Sequence, residues 1–169
     1  MLVDDLLTLA RLDHDRPRPS DERCDLGPVT ADVLDQLQPL LAAHGAEVTR
    51  HLAGAGARWA DLDARRVLRA LIENVIAHTP AGTAVEVTTG LEGGFAVLRV
   101  RDYGPGVPLA ALDTLFERFT RVDAARTPGS GSGLGLAIVA GLVRRSGGTV
   151  AARNAPGGGL EVEVRLPAA

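Results

Sequence analysis

Helical and alternating stretches interleave along this chain, and their order predicts an α/β fold. Three observations carry that prediction. Residues 28–44, 61–78 and 134–146 repeat apolar side chains at helical spacing. Short runs at 47–53, 57–60, 84–89, 95–101, 149–153 and 160–166 have strand character, and the last four form two pairs joined by glycine turns. The composition, 46% hydrophobic but only 3% aromatic, supplies a core and makes it aliphatic. At 169 residues the chain makes one domain with room for a short appendage.

The elements follow in order. Over residues 1–13, Leu2, Leu6 and Leu9 with Val3, Leu7 and Ala10 make a wide apolar stripe. A helix that short is marginal alone and needs a partner surface, either its own domain or the other half of a helical hairpin. Residues 15–27, with Pro17 and Pro19, read as a linker. Pro28 suits a first helical turn, Pro39 predicts a kink, and Gly45 ends the helix. Asp61 is the expected N-cap of the next helix, buried through Val67, Leu68, Leu71, Ile72, Val75 and Ile76. Asn74 and His78 stand one turn apart on the edge of that face, with Ala70 one turn earlier. A buried amide there needs a partner, from neighbouring backbone or from a ligand.

Glu92-Gly-Gly94 joins the next two strands, and Asp102-Tyr-Gly-Pro-Gly106 follows at once. A carboxylate at a strand end is rigidly placed and accepts from an exocyclic amine; Gly104 and Gly106 leave room beside it. Phe116 and Phe119 are expected to plug the base of a following loop onto the core, with Arg118 and Arg121 placed to pair with phosphates. Gly147 and Gly148 end the last helix, and a final hairpin turns at Asn154-Ala-Pro-Gly-Gly-Gly159.

The stretch Pro128-Gly-Ser-Gly-Ser-Gly-Leu-Gly-Leu-Ala-Ile138 carries the sharpest chemistry. Gly131, Gly133 and Gly135 alternate directly before an apolar helical run. Such a helix start offers free N–H groups and a positive dipole end to a phosphate. A Walker loop requires a lysine, and all 18 basic residues here are arginine. A dinucleotide fingerprint requires a different glycine spacing straight after a strand. What remains is a hinged lid over a nucleotide, or a plain glycine linker.

The net charge of −3 gives no reason to expect nucleic acid. Cys24 is the single cysteine, so neither an internal disulfide nor a cysteine zinc site forms. The longest apolar run, residues 134–143, is too short to span a bilayer. Asp4 and Asp5 replace the basic start of a signal peptide. The expected location is the cytoplasm, with any membrane link made through a partner.

Asn74 on its helix, Asp102-x-Gly104-x-Gly106, Phe116-x-x-Phe119 and Gly131-Ser-Gly133-Leu-Gly135-Leu136 stand in one order. That set resembles the ATP-binding domain of bacterial sensor histidine kinases, with its N, G1, F and G2 boxes. The resemblance covers the whole chain. Residues 1–14 look like the end of the second helix of the family's dimerisation hairpin, with 15–27 a linker and 28–169 the ATP-binding domain. The resemblance implies a two-layer sandwich, a mixed sheet of about five strands under three helices, the Bergerat fold. It implies Mg-ATP as ligand and γ-phosphoryl transfer to histidine in two-component signalling. Asn74 would hold Mg2+ and His78 lie beside the nucleotide. Asp102 would read the adenine amine, with Gly104 and Gly106 making space. Arg118 or Arg121 would meet the γ-phosphate. Gly131, Gly133 and Gly135 would hinge the lid, their amides and that of Leu134 facing phosphate.

The chain also departs from that pattern. Ala70 stands where the family usually has Asn, Ala77 where it often has a cation, Leu160 where Thr is common and Ser146 where His is frequent. None of His14, His44, His51 and His78 has the context of the family's phosphoacceptor. The expected acceptor is therefore a histidine on another polypeptide or a missing dimerisation domain, with a response regulator beyond it. The chain then reads as a piece of a longer kinase or the catalytic half of a split one. Rival readings are a gyrase- or chaperone-type ATPase, an anti-sigma-type serine kinase and a nucleotide-binding module without activity. The first two keep an acidic residue one turn before the Asn, where Ala70 has no base to offer.

Overall fold

A computed structural model describes residues 7–8, 21–119 and 133–169. Residues 7 and 8 are helical, in keeping with the expected N-terminal helix. Strand β1 (Cys24–Asp25) precedes helix α1 (Leu26–Gln36). The Asp25 carboxylate caps α1 by accepting from the Gly27 N–H at 3.1 Å, and it also accepts from the Ala55 N–H at 2.8 Å. The helix thus starts two residues before Pro28, inside the stretch read as linker.

Pro39 does not kink one long helix. The chain breaks at Leu37, and α2 (Gln38–His44) begins afresh with the proline in its first turn. Proline has no N–H to give, and a first turn is where none is missed. Gly45 closes α2 at φ 76°. Strands β2 (Val48–Leu52) and β3 (Gly56–Ala57) lead to α3 (Asp61–His78), whose N-cap position is Ala60 rather than Asp61 and carries no side-chain cap. Strands β4 (Val85–Glu92) and β5 (Phe95–Asp102) turn through Gly93 and Gly94, both at positive φ. Helix α4 (Leu109–Leu112) is a single turn. Helix α5 (Gly135–Arg145) and strands β6 (Thr149–Asn154) and β7 (Leu160–Pro167) complete the chain.

The main sheet has the order β2-β4-β5-β7-β6, and a small β1-β3 ladder stands apart. The β2–β4 pair is parallel and the others are antiparallel. The result is the expected mixed five-stranded sheet with α1, α3 and α5 on one face. Alternation sets the two faces: Val162, Val164 and Leu166 point into the core, while Glu161, Glu163 and Arg165 face water. Among the described residues the buried core is aliphatic apart from Cys24 and Trp59, and Trp59 is fully buried.

Candidate active site

The last turn of α3 carries two of the expected residues. Asn74 is half-buried and His78 is exposed. Ala70 packs against the core from the same helix. Thr79 follows the helix, and its hydroxyl donates back to the Val75 carbonyl at 2.8 Å.

Asp102 closes β5, opposite Val85 in the ladder, and is only 6% exposed. A buried carboxylate needs donors. The Gly104 N–H gives one at 2.8 Å and the Leu160 N–H a second at 3.3 Å, both to Oδ1. Gly104 is closely hemmed: a Cβ there would stand 2.9 Å from Asp102 Oδ1 and 3.1 Å from Thr79 Cγ2. The loop after Asp102 is therefore pressed against the end of α3. Gly106 has φ +71°, which favours glycine.

The glycine stretch ends at Gly133 (φ 70°), whose carbonyl accepts from the Phe119 N–H at 3.1 Å. Leu134 is fully buried and anchors the start of α5. Among the described residues no side chain caps that start, and no acidic residue sits in its first turn, so the first amides keep their capacity for an anion. Arg118 is exposed beside this junction. Only one of the two phenylalanines plugs the core. Phe116 packs against it, whereas Phe119 is 64% exposed with φ 59°. A bulky residue in the left-handed region turns the backbone to reach the Gly133 carbonyl, and its ring is carried outward with it. Arg121 and Gly131 lie outside the described residues.

The pieces converge because α3 and α5 pack side by side in opposite directions. Asp63 in the first turn of α3 bridges to Arg145 at the end of α5. The Gly133–Gly135 end of α5 and the Asn74–His78 end of α3 therefore share one end of the helix layer. Gly104, against Thr79, brings Asp102 to that same end. The result is a carboxylate under a glycine loop, an amide on a helix end and a row of helix-start N–H groups, all at one end of the helix layer.

Sequence reasoning did not find the supports of this site: Thr79, the Asp63–Arg145 pair, Asn154 and Gly159. The Asn154 side chain grips Val107 twice, and a Cβ on Gly159 would lie 1.8 Å from the Asp102 carbonyl oxygen. The three consecutive glycines at 157–159 were a signal for close backbone approach as well as for a turn.

The family profile described as histidine kinase-, DNA gyrase B- and HSP90-like ATPase matches residues 60–169. The chain belongs to this family. A probable sensor histidine kinase of Mycobacterium tuberculosis (strain CDC 1551 / Oshkosh) is 41% identical over 98% of this chain and 42% of its own length. The structure of the mycobacterial sensor histidine kinase MprB is similar with a TM-score of 0.78 and 28% identity, over 87% of this chain and 98% of that one. Full-length ShkA in complex with AMPPNP gives 0.82 and 29% identity, over 99% of this chain and 35% of that one. The chain spans about two fifths of the length of the curated relatives it matches end to end. Within this ATPase family, its five-stranded sheet and helix layer are those of histidine kinase catalytic domains. No helix among the described residues is long and apolar enough to cross a membrane.

Among the described residues no group of three His, Cys, Asp or Glu is placed to hold a metal. A protein-built cage is thus missing there, but magnesium in phosphate sites takes one or two protein oxygens and the rest from phosphates and water. The half-buried Asn74 amide at a helix end fits that sparser demand.

Proposed function

We propose that the domain binds Mg-ATP and supplies its γ-phosphoryl group to a histidine outside these 169 residues, in two-component signalling. The convergence of Asn74, Asp102 and the start of α5 at one end of the helix layer carries this reading. Asp102 accepts from the adenine amine through its rim, held by Gly104 and Leu160. Gly104 and Gly106 leave the base its space. His78 lies alongside the nucleotide, and Asn74 holds magnesium, which would neutralise phosphate charge. Arg118 and Arg121 meet the γ-phosphate, and the lid hinged at Gly131, Gly133 and Gly135 presents the amides of the helix start, Leu134 among them, to phosphate.

Positioning and charge neutralisation then do most of the work. The attacking nitrogen of a neutral imidazole brings its own lone pair and has no proton to lose. A bond forms from that nitrogen to phosphorus as the bond to the β-phosphate oxygen breaks, and ADP leaves. Attack by water would need a base, and Ala70 offers none one turn before Asn74. Transfer to histidine is thus favoured over hydrolysis. Residues 1–14 are the end of a dimerisation helix and 15–27 a linker that already contains the first strand of the domain. The partner is a histidine-bearing hairpin, and a response regulator takes the phosphoryl group from it. The cytoplasm is where ATP and such partners meet.

The test is incubation with γ-labelled ATP, with and without a protein bearing a histidine on a helical hairpin. Acid-labile label on that partner is the expected result. Label on serine, or only free phosphate, overturns the proposal.

A further inference from the structure

We infer that Asn154 is a positioning residue for the loop that holds the nucleotide base, acting through Val107. The inference rests on the nucleotide reading of the site. Residues 103–108 contain two prolines and two glycines and no regular element, so they have few means of holding their own shape. Asn154 supplies what is missing. Its Oδ1 accepts from the Val107 N–H at 2.9 Å and its Nδ2 donates to the Val107 carbonyl at 2.7 Å. One side-chain amide thus satisfies both backbone groups of a single loop residue, as a neighbouring strand would.

The grip has a rigid root. Asn154 is the last residue of β6, paired with Leu160 of β7. The turn between them reaches the loop's other end too: the Leu160 N–H meets Asp102 Oδ1, and Arg101 Nη2 donates to the Pro156 carbonyl at 2.8 Å. Gly106 lies so close that a Cβ would stand 2.6 Å from Asn154 Oδ1. The base-binding loop is therefore clamped between Asp102 and Val107 by one turn, and Asn154 is the only side chain of that turn bonded to it among the described contacts. The Gly104 N–H that holds Asp102 belongs to this same loop, so loss of the amide loosens both the setting of Asp102 and the space for the base, and leaves the phosphate end alone.

The test compares ATP with inosine triphosphate, which lacks the exocyclic amine, by calorimetry on wild type, Asn154→Ala and the isosteric Asn154→Asp. Two hydrogen bonds of ordinary strength predict a loss of ATP affinity of about tenfold. Inosine triphosphate affinity stays within about twofold, because it never had the full base contact. The preference for ATP therefore collapses in Asn154→Ala and falls less far in Asn154→Asp, which keeps an acceptor for the Val107 N–H but has no donor for its carbonyl, and the Val107 amide exchanges faster with solvent in Asn154→Ala. Wild-type preference in a folded variant, whether ATP binding is unchanged or both ligands weaken alike, overturns the inference alone. A wild type that binds no ATP, or does not prefer it to inosine triphosphate, overturns the reading of the site and the inference with it.

Discussion

Asp63 and Arg145 join the first turn of α3 to the end of α5 through a bridge of 2.5 Å. From Asp63 to Asn74 the helix rises about 16 Å, and from Arg145 to Gly135 about 15 Å. The bridge thus sets the alignment of two helices whose far ends carry Asn74 and the Gly133–Gly135 turn, the groups proposed to meet magnesium and phosphate. The Asp63 side chain is only 7% exposed, whereas Arg145 is a third exposed. Asp63→Ala should cost about 1–3 kcal/mol of stability, in the range for a buried charged hydrogen bond. Urea unfolding followed by Trp59 fluorescence measures it, and a midpoint equal to wild type would contradict the role of the bridge.

Asp102 has both a structural and a proposed ligand-binding task, and Asp102→Asn separates them. Asparagine keeps an acceptor for the Gly104 and Leu160 amides, so the fold should lose about 1 kcal/mol or less. The carboxylate that reads the base amine is gone, so ATP affinity should fall about tenfold or more. Calorimetry and thermal melting on one sample give both numbers.

Gly159 and Gly135 should respond oppositely to alanine. At Gly159, φ is +86° and the added Cβ would overlap the Asp102 carbonyl oxygen. Gly159→Ala should cost more than about 3 kcal/mol or prevent folding. At Gly135 the same carbon would meet nothing within 4 Å among the described residues. Gly135→Ala should leave stability unchanged or raise it by up to about 1 kcal/mol. Parallel melts of the two variants decide the matter.

Asn74→Ala should abolish phosphoryl transfer and leave the melting temperature within a few degrees of wild type, because the side chain is only half-buried. Unchanged transfer would remove Asn74 from the metal site.

Burial, reinforced by the nearby Asp61, Asp25 and Glu22 carboxylates, pushes the Cys24 thiol from its ordinary 9.0 up to about 11. The folded state holds this proton more tightly than the unfolded chain does. Its contribution is therefore intact below pH 9 and lost as pH rises towards 11. Tyr103, whose hydroxyl donates to Glu86, is shifted upward and acts with the same sign. With no lysine in the chain, few other groups titrate there. Melting temperature should fall between pH 8 and 11 in wild type, and fall less in Cys24→Ala. Equal slopes would rule out the thiol.

Much of the candidate site's placement was legible in the sequence. Asn74 at a helix edge, Asp102 at a strand end and glycines before a helix are local patterns, and local patterns are written in neighbouring residues. Pro39 was misread because one proline is compatible with a kink or with a new start, and only the break at Leu37 distinguishes them. Phe119 was misread for a similar reason. Its apolar ring argued for burial, while the backbone turn needed to reach Gly133 carries it outward.

The sequence alone determined the kind and order of the main elements, the aliphatic core and the residue types offered to a nucleotide. Periodicity and turn chemistry act over a few residues, so they can be read along the chain. The tertiary structure decided what holds those residues to one another. Asp63 finds Arg145 across 82 positions, Asn154 finds Val107 across 47 and Leu160 finds Asp102 across 58. Such contacts arise when the sheet and helices close over one core, and no local pattern encodes a partner that distant.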